Sequence, residues 1–435
     1  MRRARRRVKN RSRVKSPSSS RSTTFAASRG SRSGADARPL PPSAAAGRSP
    51  LGIVFATVFL DLVGFGIVIP LLPLYAQRFG AGAVAVAWLL AIYSVMQFLF
   101  APAWGRLSDR VGRRPVLLVG LFGSAAGYLA FGVAGSLPLL FAARALSGVA
   151  GANVGVAQAY IADVTRPEER ARGMGMIGAA FGLGFIVGPA IGGVLSRWGF
   201  AAPFLFAGAL TLANAVFAVF RLPESLPPER RTAGPRSFGL AARARALFGG
   251  ATPGRLRALY LAGFLFVLAF AGVEGTFSLW ADARWHAGPN RVAFLFVYLG
   301  IVSALAQGGV VGPLVRRIGE RRTALLGLGS VAAGLALTAL APSWPVLFAA
   351  LGLLALGQGI ASPTVSSLIS RLGGPGEQGR VLGIYQSLSA LGRAAGPVAG
   401  GVALAHVGLA APFLTASIVT VAAALVLLAI AGGPG

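Results

Sequence analysis

The chain contains no cysteine, two histidines and only 12 acidic residues among 435. Without a thiol there is no disulfide framework, no thiolate nucleophile and no cysteine-ligated metal. His286 and His406 are too few for a histidine metal cluster. Charge is scarce: 12% of residues are Asp, Glu, Lys or Arg, against 55% apolar residues, and the mean hydropathy is +0.69. A water-soluble interior cannot hide that much apolar surface, so the chain belongs in a bilayer. The glycine-rich stretches lack the Gly-Lys-Ser/Thr ending of a phosphate-binding P-loop, which argues against ATP coupling. Ser147 lies in an apolar stretch with no histidine near it in the sequence, so there is no nucleophile elbow and no enzyme reading survives.

What is abundant is apolar sequence in runs of about 20 residues, the length of helix that crosses ~30 Å of hydrocarbon. Twelve such runs follow Leu51: 51–76, 83–104, 115–134, 138–163, 173–195 and 201–222, then 257–281, 292–315, 322–341, 345–371, 381–405 and 410–431. The fold class is therefore an all-α membrane protein of twelve transmembrane helices in two six-helix halves, 51–222 and 257–431. The linker 223–256 is rich in proline and arginine and reads as a polar hinge on the cytoplasmic side. Residues 1–50 carry 14 of the 41 Lys and Arg residues and a single acid, Asp36, with almost no large apolar residue, so they form no packed core and read as a disordered cytoplasmic tail. Attraction to anionic lipid, loose nucleic-acid contact, a transit peptide, a plain solvated extension and an over-long gene start are all open for it.

The positive-inside rule tests the helix count. With twelve spans, 21 basic residues besides the tail fall on the side of the N-terminus and four on the other, Arg78, Arg197, Arg284 and Arg291. Both termini are expected to be cytoplasmic in the cell (inner) membrane. The net charge of +29 is then mostly topology, and no nucleic-acid partner is expected.

Two elements repeat at half the chain length. The run from Gly105 to Arg114, including Asp109 and Arg113, returns 207 residues later as Gly312 to Arg321. The stretch from Gly184 to Gly193, with Gly188, Pro189 and Gly192, returns 208 residues later as Gly392 to Gly401. A polar loop repeated between the second and third helices of each half, and a glycine groove repeated in each fifth helix, imply two structurally equivalent membrane halves. Tight helix packing accounts for either glycine stretch alone, but not for their equivalent placement.

Over residues 51–431 the chain resembles the major facilitator superfamily. Gly105 to Arg114 is similar to that family's loop motif between helices two and three. Arg144, Ser147, Gly148 and Gly151 are similar to its fourth-helix motif, and Gly184 to Gly193 to its fifth-helix antiporter motif. The opening from Phe59 to Pro73 is similar to the first helix of tetracycline-resistance-type drug:proton antiporters. The resemblance implies proton-coupled efflux of a small drug-like molecule by alternating access, as a monomer, with the proton gradient and no cofactor as energy source. A nutrient importer on the same scaffold is the main alternative, and a non-transporting membrane sensor a weaker one.

Candidate residues follow from depth and chemistry. Asp61 sits about ten residues into the first helix, where a carboxylate costs ~2.5–3.5 kcal/mol, so it should face a cavity or carry a proton part of the time. It is the expected proton or substrate site, unless Arg144 merely neutralises it. Glu274 of the seventh helix is its second-half counterpart. The resemblance assigns Arg144 to proton coupling. Arg393 either pairs with Glu274 or meets an anionic substrate group. By resemblance, Gly105, Asp109, Arg113 and Asp163 form a cytoplasmic gate, in which Asp109 meets a helix N-terminus of the other half and Arg113 pairs with Asp163. Arg316 replaces Asp109 in the second copy, so a single latch is expected, and Arg110 and Arg114 are expected to be topology anchors. Tyr93, Gln97, Asn153, Gln158, Gln307 and Gln386 could touch substrate, or could be helix-to-helix hydrogen bonds worth ~0.6 kcal/mol each.

The tetracycline-type pattern has an acid in helix three where this chain has Gly127, and a histidine and an acid in helices eight and nine that are missing here. A metal-chelated tetracycline would lose polar contacts, which points instead to an apolar or weakly cationic drug-like molecule.

Overall fold

The computed structural model describes residues 50–151, 154–165, 170–231, 254–372 and 378–429. The basic tail up to residue 49, most of the linker (232–253) and Asn153 lie outside the described residues. Among the described residues there is no strand, and twelve helices are long and apolar enough to cross a membrane. We number them α1 (Pro50–Gln77), α2 (Ala83–Val111), α3 (Arg113–Gly132), α4 (Leu137–Val164), α5 (Arg170–Leu195) and α6 (Ala201–Arg221) in the first half. The second half contains α7 (Gly254–Trp285), α8 (Gly288–Ile318), α9 (Glu320–Leu340), α10 (Trp344–Arg371), α11 (Gln378–His406) and α12 (Ala411–Ala429).

The repeated loop differs from its expected form. α2 runs on to Val111 and α3 starts at Arg113, so only Gly112 leaves the helix, at φ 109°. The second copy does the same at Gly319, with φ 81°. Arginine, serine and aspartate in the run extend the helix beyond its apolar part. A residue at positive φ, where glycine carries no steric penalty, is what turns the chain.

Each half has its own main core, to which the other half adds a residue, Leu279 to the first and Leu74 to the second. The first buries Ile67, Leu71, Leu89, Phe131, Leu140 and Phe204 in one core and Val116, Tyr160 and Ile161 in another. The second centres on Trp280, Leu328, Leu347, Leu351, Ile369 and Phe413. Large apolar side chains such as Phe220, Leu340 and Ile418 point outward, as a lipid-facing surface requires. Lipid supplies no hydrophobic drive between helices, so close approach relies on small residues. A Cβ on Gly334 would lie 2.5 Å from the Leu354 nitrogen, and one on Gly327 2.7 Å from that of Ala361, which locks α9 to α10.

The halves meet along two seams, α2 against α11 and α5 against α8, and exchanging the halves maps one seam onto the other. We call the end bearing Pro50, Arg113 and Arg221 proximal and the opposite end distal. The contacts between halves lie toward the distal end and mid-depth. Gly193 abuts Ala293, Gly401 abuts Ala83 and Ala87, and Gly275 faces Leu90. Ser278 donates to the Pro70 carbonyl at 2.9 Å, and Ser196 donates to Asn290 Oδ1 at 3.1 Å. The molecule is thus joined distally.

Candidate functional site

Asp61 lies on the face of α1 that meets α3 and α6. One turn earlier is Thr57, and α6 contributes Thr211 and Asn214. Asn214 donates to the Thr57 carbonyl at 2.8 Å. Gly64 admits this packing, because a Cβ there would fall 2.9 Å from Thr211 Oγ1 and 3.1 Å from the Tyr128 ring. Four oxygens of this patch, Asp61 Oδ1, Thr57 Oγ1, Thr211 Oγ1 and Asn214 Oδ1, are buried with no hydrogen-bond partner. Thr57, Thr211 and Asn214 escaped the reading of the sequence, since single polar residues in apolar helices look like any other interior hydroxyl or amide. Buried polar groups demand a partner, so a carboxyl in such company suits a protonation change.

Arg144 of α4 is 1% exposed, and its Nε and Nη1 have no hydrogen-bond partner. Its guanidinium lies 4.4 Å from the centroid of Tyr93 and 5.8 Å from that of Phe65. Asp61 and Arg144 form no ion pair, and both lie in electrostatic range of Tyr93 and Tyr128. Glu274 is in range of both Arg144 and Arg393, again without a direct ion pair. The structure therefore brings Asp61, Tyr93, Arg144, Glu274 and Arg393 into one cluster spanning both halves.

Gln97 donates to the Gly151 carbonyl at 3.0 Å and ties α2 to α4. Gln158 is half-buried, while Gln307 and Gln386 are exposed. Gln307 stands in a π-helical turn, Ala306–Val310, that interrupts α8. In α5, a Cβ on Gly184 would lie 2.8 Å from the Leu62 Cβ, one on Gly188 2.7 Å from the Gly66 backbone, and one on Gly192 3.2 Å from Leu71 Cδ1. With Pro189 inside the helix, this stripe packs α5 on α1, and only Gly193 crosses to the other half, 2.7 Å from the Ala293 Cβ.

At the proximal end Arg113 is a hub. It donates to Asp109, to Ser108 Oγ at 2.7 Å and to Asp163 at 3.2 Å. Asp109 is thus held by its own half, not by the other half as the resemblance implies, consistent with seams that close at the distal end. Gly105 has open space around it. Glu224, the second linker residue, caps α3: its carboxylate accepts the backbone N–H of Arg113 at 2.8 Å and of Arg114 at 3.3 Å. Ser225 donates to Asp163 at 3.2 Å. The start of the linker is therefore part of the node, where a free hinge was expected. Arg114 is more than a topology anchor, since it donates to the Val219 carbonyl at the end of α6, as Arg321 does to Leu428 at the end of α12. The second half has an ion pair of its own at this end, one that does not involve Arg316: Glu320 pairs with Arg371 at 2.9 Å and accepts from Ser367 at 2.8 Å.

Two stretches, residues 54–309 and 259–434, match the family model described as Major Facilitator Superfamily. The chain is 35% identical over 349 residues to the tetracycline resistance protein, class C, of Escherichia coli, covering 80% of this chain and 87% of that one. It is 36% identical over 357 residues to the class G protein of Vibrio anguillarum, covering 81% and 89%. The crystal structure of the human organic anion transporter MFSD10 (TETRAN) superposes with a TM-score of 0.68 at 30% identity, over 87% of this chain and 99% of that one.

Proposed function

This chain belongs to the Major Facilitator Superfamily, and we propose that it exports a small drug-like molecule across the cell (inner) membrane in exchange for protons, by alternating access, with both termini cytoplasmic. The observation that carries this reading is Asp61, a carboxyl at membrane depth with Oδ1 buried and unbonded. A permanently ionised group there is costly, whereas one that gains and loses a proton as the site changes access can couple proton entry to export. Arg144, which stays charged, sets a fixed field at Tyr93 and Tyr128, the two tyrosines that Asp61 also acts on. The tetracycline resistance relatives support export, although Gly127 stands where their type of pattern carries an acid.

The test uses everted vesicles acidified inside and a panel of lipophilic cations, tetracyclines, chloramphenicol-like compounds, organic anions and sugars. Collapse of the pH gradient by one drug class, absent in Asp61→Asn, is the expected result. Full gradient-driven transport by Asp61→Asn would refute the assignment of this residue, and sugar counterflow with no drug response would favour an importer.

A second substrate class has its own observation. Arg144 and Arg393 are two guanidinium groups sharing one carboxylate, Glu274, in the central cluster. That balance suits an amphipathic organic anion, which the panel includes.

A further inference from the structure

A threonine buried in a helix has a ready acceptor for its hydroxyl in the carbonyl four residues earlier. Thr276, Thr323, Thr338, Thr364 and Thr420 all donate there, at 2.7 to 3.0 Å. Among the described residues two buried threonines do not, Thr57 and Thr211, and both stand beside Asp61. Thr57 precedes Asp61 by one turn, and helical side chains lean toward the N-terminus, so the carboxyl lies over it. α6 runs antiparallel to α1 and sets Thr211 level with Gly64 and Asn214 level with Thr57, which places Asp61 between them.

These side chains offer different things. A hydroxyl donates or accepts, an amide oxygen only accepts, an ionised carboxylate only accepts, and a protonated carboxyl also donates. The nitrogen of Asn214 is committed to the Thr57 carbonyl at 2.8 Å, so its free group is the oxygen. The patch thus holds two donors suited to a charged carboxylate and one acceptor suited to a neutral acid.

We infer that Thr57, Thr211 and Asn214 are positioning residues for Asp61, the two hydroxyls donating to it when it is ionised and Asn214 Oδ1 accepting its O–H when it is protonated. Each protonation state then has its own partners, and neither leaves a buried carboxyl oxygen unpaired. The inference rests on the reading that Asp61 gains and loses a proton. That proton passes to or from water on the side the site faces, while the hydroxyls only turn. Other groups act on the same carboxyl. Tyr93 of α2 and Tyr128 of α3 are in electrostatic range of it, and Arg144 of α4 acts on both tyrosines, with Glu274 of α7 in range of Arg144. The charged side chains of α5, α6 and α8 lie only near the helix ends. The hydroxyls and the amide are therefore what the α1 and α6 faces add to that field.

Infrared spectroscopy of the purified protein reads the two states directly. The carbonyl band of protonated Asp61 is identified by its loss in Asp61→Asn, and its disappearance is followed as pH rises. Thr211→Val and Thr57→Val each remove a donor to the charged form, so the midpoint should move up by roughly one pH unit, a tenfold change in proton affinity. Thr211→Ser should restore the parent midpoint. Asn214→Leu removes the acceptor of the neutral form and should move the midpoint down. A general loosening of the α1 and α6 packing would not shift the two kinds of variant in opposite directions. Thr57→Val leaves the backbone carbonyl bonded to Asn214 in place, so the donor half is tested even where Asn214→Leu does not fold. Unchanged midpoints in the valine variants, or an upward shift in Asn214→Leu, would overturn the proposal while the proton reading stands. A parent protein with no Asp61-dependent band at any pH would overturn the proton reading, and the proposal with it.

Discussion

A guanidinium with two buried, unbonded nitrogens survives at Arg144 because Tyr93 and Phe65 take up part of its charge. Such stacking contributes ~0.5–2 kcal/mol, more when desolvated. A lysine keeps the charge but not the flat surface, so Arg144→Lys should cut the transport rate by roughly tenfold, the equivalent of ~1.4 kcal/mol, with normal expression; unchanged initial rates in vesicles would show that charge alone is needed. Gly127 carries a second residue-scale argument. A Cβ there would collide with Ser147 Oγ and press on the Ala143 carbonyl at 3.3 Å. Ser147 cannot swing away freely, since it donates to that same carbonyl at 2.9 Å. Gly127→Ala should therefore cost ~1–3 kcal/mol, visible as a lower unfolding temperature in detergent. The same crowding leaves no room for an acidic side chain at that position. Asp61, Arg144 and Glu274 were readable from the sequence because charge in an apolar run is conspicuous. Thr57, Thr211 and Asn214 were not, because only the packing of α6 on α1 makes them neighbours.

Among the elements, α5 separates two meanings of glycine. Gly184 and Gly188 touch α1 backbone, whereas Cβ atoms on Gly178 and Gly182 would meet nothing within 4 Å. Gly188→Ala should reduce folded protein severalfold, because backbone at 2.7 Å cannot yield. Gly178→Ala and Gly182→Ala should be neutral or slightly stabilising, since alanine favours helix by ~1 kcal/mol. Fluorescence size-exclusion of the three variants side by side checks this, and equal losses in all three would show that the stripe acts through flexibility instead of packing. Helix number and order were legible because apolar length alone sets them. Helix ends were not: α2 and α8 run beyond their apolar parts through charged turns to Gly112 and Gly319. The ion pair of the second half was missed for a related reason. Arg316 in place of Asp109 looked like a loss, and the Glu320 to Arg371 pair shows only when the ends of α9 and α10 are brought together.

For the whole molecule, orientation is a matter of charge against the membrane. By the helix count, 21 basic residues outside the N-terminal tail are expected on the proximal side and four on the distal side. The rule counts basic residues close to the span ends, and most of the 14 in the tail lie farther from α1 than that. Removing the tail should therefore leave the topology unchanged. Val133, 70% exposed in the distal turn after α3, and Leu372, 42% exposed at the proximal end of α10, offer reporter positions on the two sides. In intact cells an impermeant maleimide should label Val133→Cys and spare Leu372→Cys, with the reverse in everted vesicles. Deleting residues 2–47 should change neither pattern. Loss or reversal of labelling after the deletion would mean that the tail's charge, and not the arginines at the helix ends, decides which way the bundle faces, and the tail would then have a function in membrane insertion that its composition alone does not reveal.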